Sequence, residues 1–138
     1  MKLKPMALIT ILIIIVLTGC ASNKKLTLSK EWLEHTERIE GVIYPDNTKI
    51  IMQDPQDIQN FFNLVTSLKY KKTMTKDEAV KQRILPPGTE YNFVLTNSDD
   101  KLYISYGVKD RALGLGDKVY ILQDEISKKI EEVISRIK

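Results

Sequence analysis

Two pairs of apolar, β-branched segments in this chain are joined by turns too short to allow anything but antiparallel pairing. Ile39-Glu40-Gly41-Val42-Ile43-Tyr44 runs straight into Pro45-Asp46-Asn47-Thr48 and then Lys49-Ile50-Ile51-Met52-Gln53. Tyr91 to Thr96, the turn Asn97-Ser98-Asp99-Asp100, and Leu102 to Val108 repeat the arrangement. A parallel pair needs a crossover of about a dozen residues or more. Turns built from Pro, Asp, Asn and Ser therefore commit both pairs to hairpins. Within the second pair Tyr91, Phe93 and Leu95 alternate with Asn92, Val94 and Thr96, which gives the strand two unequal faces. A fifth strand, Lys118-Val119-Tyr120-Ile121-Leu122, follows a connection from Lys109 to Asp117 that carries Gly114 and Gly116.

Two segments read as amphipathic helices. In the first, Asp54 caps, Pro55 fits the first helical position, and Asp57 sits near the positive end of the dipole. Ile58, Phe61, Phe62, Val65 and Leu68 then share one face, and Lys69, Lys71 and Lys72 gather at the carboxyl-terminal end. In the second, Asp124 and Glu125 precede Ile126, Ile130, Val133, Ile134 and Ile137 on one stripe. Thr75-Lys76-Asp77-Glu78 matches a capping box for a short helix from Lys76 to about Gln82, closed by Pro86-Pro87-Gly88. The order is β-β-α-(α)-β-β-β-α. The expected class is α+β, an antiparallel sheet of about five strands with two main helices packed on one face.

The amino terminus is of a different kind. Lys2 and Lys4 precede an almost unbroken apolar stretch from Ala7 to Leu17, which ends in Leu17-Thr18-Gly19-Cys20. This is the layout of a secretory signal, and it is shorter than the roughly 20 apolar residues a spanning helix needs. The Leu-Thr-Gly-Cys ending resembles the lipobox of bacterial lipoproteins. That resemblance implies cleavage before Cys20, a diacylglyceryl group on its sulfur, and a protein held on the extracytoplasmic face of the cell membrane. Two acyl chains suffice for stable anchoring, where one is marginal. The expected division is a signal peptide over 1–19, the lipidated cysteine and a polar tether over 20–30, and one domain over 31–138. A flexible tether of that length reaches less than about 20 Å. Trp32, in Glu31 to Thr36, marks the start of the fold, because tryptophan is highly buried on average.

Cys20 is the only cysteine, so no disulfide forms within the chain and packing must supply the stability. Without residues 1–19 the chain keeps 19 basic and 18 acidic residues, a net charge of +1. That balance calls for no nucleic-acid partner. The element order also resembles that of small YhfM-like lipoproteins of Gram-positive bacteria. The likeness rests on the lipobox, the early hairpin, the helix from Asp54 to Phe61, the middle strand pair, and the Lys118-Val119-Tyr120-Ile121-Leu122 strand leading into a terminal helix. It spans roughly Ile39 to Ile137, and it implies the fold and lends no activity.

No catalytic set stands out. His35 is the only histidine and lies between Glu34 and Glu37 in a charged stretch, while zinc or iron needs clustered ligands. Asp77-Glu78, Asp99-Asp100 and Glu131-Glu132 are placed on turns or helix surfaces rather than facing each other across a cleft, as glycosidase chemistry requires. No catalytic residue, metal or cofactor is therefore expected. Two segments remain as a candidate contact surface. One is the loop carrying Leu113, Gly114, Leu115 and Gly116, and the other is the basic cluster Lys69, Lys71 and Lys72, suited to anionic headgroups or wall polymers. The leading expectation is a non-enzymatic binding or accessory role at the cell envelope, with an envelope protein or wall polymer as partner. The alternative is a small-ligand or sensor lipoprotein, for which Tyr91, Tyr103, Tyr106 or Tyr120 would line an apolar pocket.

Overall fold

A computed structural model describes residues 24–84 and 90–137. Cys20 and the signal segment lie outside the described residues, as does Pro86-Pro87-Gly88. The elements run β1 (Lys24–Lys25), α1 (Lys30–His35), β2 (Arg38–Ile43), β3 (Thr48–Met52), α2 (Pro55–Ser67), β4 (Lys69–Thr75), α3 (Lys76–Lys81), β5 (Tyr91–Asn97), β6 (Asp100–Gly107), β7 (Ala112–Leu115), β8 (Lys118–Leu122) and α4 (Ser127–Ser135). All the strands join one antiparallel sheet in the order β1-β4-β8-β7-β6-β5-β2-β3.

The class is α+β as expected, but the sheet has eight strands rather than about five. The three additional ones have separate causes. In β4 the inward residues are few, and the register shifts between Tyr70 and Lys72, so Lys71 bulges out and breaks the alternation. A lysine-rich segment with a bulge carries no period-two signal. In β7 the Leu-Gly-Leu sequence looks like a loop, yet Gly114 sits where a Cβ would lie 2.7 Å from Ser105 Oγ on β6. The glycine there permits close strand packing rather than a turn. The third is β1, which pairs Lys24 with Tyr70 and Lys25 with Lys69.

That pairing moves the start of the fold. Leu26 N–H donates to Leu68 O at 2.9 Å, and the Leu26 side chain is only 1% exposed within the main core. Residues 24–28 thus belong to the domain instead of to a tether over 20–30. Trp32 and Leu33 of α1 pack partly buried against the same core.

Ile58, Phe61, Phe62 and Val65 of α2 and Ile130 of α4 cover one face of the sheet, meeting Ile39, Met52, Tyr91, Phe93, Leu95, Ile104, Tyr106 and Leu113. Asp54 caps α2 by accepting from Gln56 N–H at 2.8 Å, with Pro55 at the first helical position. Phe61 stacks on Phe93 with ring centroids 4.8 Å apart. Gly41 makes room for that pair, since a Cβ there would lie 2.9 Å from two Phe93 ring atoms.

The expectation that helices cover a single face needs one correction. Met74, Ala79, Ala112 and Val119 form a second, smaller cluster. It lies on the opposite face, where α3 covers β4, β8 and β7. The Thr75 capping box forms as read, with Glu78 N–H donating to Thr75 Oγ1 and Thr75 N–H to Glu78 Oε2, both at 3.2 Å. Among the described residues no helix is long and apolar enough to cross a membrane.

Candidate functional site

Among the described residues α3 covers the β4-β8-β7 end of this face, and over β6, β5, β2 and β3 the same face exposes Tyr103, Glu40 and Ile51. Register places Ile51, Glu40, Val94 and Tyr103 in one row across those four strands. Ile51 is 50% exposed and Tyr103 60%, the half-buried Val94 lies between them, and Arg38 pairs with Glu40 at 2.7 Å beside the row. Arg38, Glu40, Val42, Lys49 and Ile51 border a shallow depression of about 180 Å³. A row of exposed apolar side chains interrupted by the Arg38–Glu40 ion pair has the makings of a protein contact. The sequence signal for it was present but unused: Ile50 and Ile51 are both apolar, as are Phe93, Val94 and Leu95, so these strands carry apolar residues on both faces.

The far end of the sheet is basic. Lys69, Lys71 and Lys72 are exposed on β4 as their charge requires, and β1 adds Lys24 and Lys25, also exposed. Sequence reasoning missed the last two because it placed them in a tether. Between the end of α2 and the start of α4, Ser67, Lys69, Asp124 and Lys129 line a polar crevice of about 150 Å³.

Among the described residues the tyrosines do not gather around a pocket. Tyr91 and Tyr106 are core residues with rings 6.1 Å apart, Tyr120 packs edge-on against Tyr70 at 5.0 Å, and Tyr103 lies on the opposite, open face. The apolar space between the helices and the sheet, lined by Phe61, Phe93 and Tyr106 among others, amounts to about 10 Å³, the lower limit for a single water. Tyr106 instead ties α4 to the sheet. Its hydroxyl donates to Glu125 Oε1 at 3.1 Å and accepts from the buried Ile126 N–H at 3.2 Å. Burial, reinforced by the Glu125 charge against the opposing Ile126 bond, pushes the Tyr106 hydroxyl up to about 12. Partial burial pushes Glu125 up, but hydrogen bonds from Ser127, Tyr106 and Ile126 outweigh it and hold the carboxyl below its ordinary range. Tyr91 is raised as well, by burial and by the nearby Glu131 that accepts its hydroxyl at 3.4 Å.

The expected Leu113–Gly116 contact surface is not available as read. Leu113 is 2% exposed and packs in the main core, and Gly114 is buried beneath Ser105. Leu115 and Gly116 are half-buried, with Gly116 at φ +59° where the chain turns from β7 into β8. The alternation of β7 turns both leucines toward the helices, which a loop reading could not foresee. His35 ends α1 on the surface. Glu78 serves its helix cap, and Glu131 receives Tyr91. Among the described residues no three His, Cys, Asp or Glu side chains stand where they could hold a metal ion.

No family model matches the chain, and neither the curated proteins nor the solved structures give a match.

Proposed function

We propose that this chain is a lipoprotein anchored through Cys20 on the extracytoplasmic face of a bacterial cell membrane, where it binds an envelope protein through the open face of its sheet. The observation that carries the binding reading is the row Ile51, Glu40, Val94 and Tyr103, which exposes large apolar side chains on a rigid surface. Interfaces draw their energy from a few such aromatic and aliphatic anchors surrounded by polar groups. The anchoring reading rests on Leu17-Thr18-Gly19-Cys20 after the apolar stretch. The small-ligand alternative has less support, because the core is filled and its tyrosines serve packing.

Photo-crosslinking on intact cells tests the binding role. A crosslinker at Ile51 or Tyr103 should capture one discrete partner, and one at Lys128 on the exposed side of α4 should not. Equal capture from all three positions, or none from Ile51 and Tyr103, would refute the assignment.

A further inference from the structure

Five lysines converge on the edge of the sheet from which the chain leads back to Cys20. Lys24 and Lys25 form β1, the outermost strand, and pair with Tyr70 and Lys69 of β4, which also carries Lys71 and Lys72. All five are exposed, and among the described residues none has a carboxylate within 4.0 Å. Cys20 stands four residues before Lys24. At no more than about 3.3–3.6 Å per residue, that connection spans less than about 15 Å. An acylated Cys20 would therefore keep this edge within about 15 Å of the headgroup layer.

Charge is also segregated along the sheet. From Cys20 onward the chain has 19 basic and 18 acidic residues, so the remainder, without these five lysines, has 14 basic against 18 acidic. One edge is strongly positive while the body is net negative, an arrangement that orients a molecule in an external field.

We infer that the β1–β4 edge is an electrostatic membrane contact, with Lys24, Lys25, Lys69, Lys71 and Lys72 resting on anionic phospholipid headgroups beside the Cys20 anchor. The inference builds on the anchoring reading and adds an orientation to it. With strands about 4.8 Å apart, β3 lies roughly 30 Å or more across the eight-stranded sheet from β1, so Ile51 stands about that far from the lysine edge. Anionic lipid is favoured over a wall polymer because the anchor delivers this edge to the bilayer surface. Each lysine near such a surface contributes roughly a fivefold gain in binding, screened over about 8–10 Å at ordinary salt.

The chain from Cys20 to Lys138 includes every described strand pair and both described core clusters. With its Cys20 thiol capped by iodoacetamide, it needs no lipidation for the test. Binding is measured by co-sedimentation with vesicles of phosphatidylcholine alone or with about one-third phosphatidylglycerol. Wild type should bind the anionic vesicles and release at 1 M salt. Replacing the five edge lysines by Gln should weaken binding at least tenfold. Replacing Lys49, Lys101, Lys109, Lys128 and Arg136 by Gln, an equal charge loss elsewhere, should leave it within about twofold.

Equal losses in the two variants would overturn the inference, as would absence of wild-type binding to anionic vesicles. Tighter binding to soluble poly(glycerol phosphate) than to anionic vesicles would assign the edge to a wall polymer and overturn it too. Self-association of the edge variant with vesicle binding intact would reduce the lysines to guards against strand pairing. Failure of Cys20 to acquire lipid in cells would sink the anchoring reading separately, since the vesicle assay does not depend on it.

Discussion

Tyr106→Phe isolates one hydroxyl on which the docking of α4 depends. The ring is 1% exposed and would stay in place, so packing changes little. What disappears is the acceptor for Ile126 N–H, a buried donor held at 3.2 Å, and the donor to Glu125 at 3.1 Å. A buried N–H left without a partner costs about 1–3 kcal/mol, whereas the exposed Glu125 recovers its lost bond from water. The expected loss is about 2 kcal/mol, a sizeable part of the 5–15 kcal/mol typical of a domain and worth roughly 8 °C in Tm at this size. The hydroxyl also sets a pH dependence. Its folded pKa, pushed up to about 12 mainly by burial, lies above the ordinary value of 10.0. The neutral form is the one the fold favours, so this contribution is fully present below about pH 10 and is lost as pH rises toward 12. Tyr91 and Tyr120 are raised in the same direction, so the variant should show a shallower alkaline decline rather than none. Urea melts followed by circular dichroism at pH 7 and across pH 9.5–11.5 measure both effects. A loss under about 0.5 kcal/mol together with an unchanged alkaline slope would refute the Tyr106–Ile126 bond.

Phe61→Ala should cost about 3–5 kcal/mol, since the ring is buried and stacked on Phe93; a denaturant midpoint close to wild type would mean that the face of α2 is misassigned. Gly41→Ala should cost about 1–3 kcal/mol by overpacking, because the new methyl would meet the Phe93 ring at 2.9 Å; a neutral outcome in the same melts would show that the ring moves freely. Leu26→Ala should cost about 2–5 kcal/mol if the fold begins at β1, while a change within about 0.5 kcal/mol, as expected of surface positions, would return residues 24–28 to the tether.

Wherever local chemistry alone decided an element, the sequence was sufficient. The Asp54-Pro55 helix start, the Thr75–Glu78 capping box and both hairpins stand where turn and cap residues place them. The misreadings occur where a distant neighbour decides. Lys24 and Lys25 are a strand only because β4 is beside them, and β4 has its alternation broken at Lys71. Gly114 looks like turn chemistry until Ser105 is seen against it. The candidate contact surface moved for the same reason. Leu113 and Leu115 gave an apolar signal without a direction, and the alternation of β7 turned them inward, while the open row of Ile51, Val94 and Tyr103 emerged only from the register of four strands. The basic cluster at Lys69, Lys71 and Lys72 was legible from the residues, and the fold enlarged it by bringing up β1.

The state of Cys20 decides whether the protein is lipid-anchored, and mass spectrometry of the amino-terminal peptide from the membrane fraction of cells measures it directly. A lipid-anchored protein predicts a peptide beginning at Cys20 and carrying a diacylglyceryl group on its sulfur. A membrane-fraction peptide that retains residues before Cys20, or that begins elsewhere with an unmodified Cys20 thiol, would contradict it.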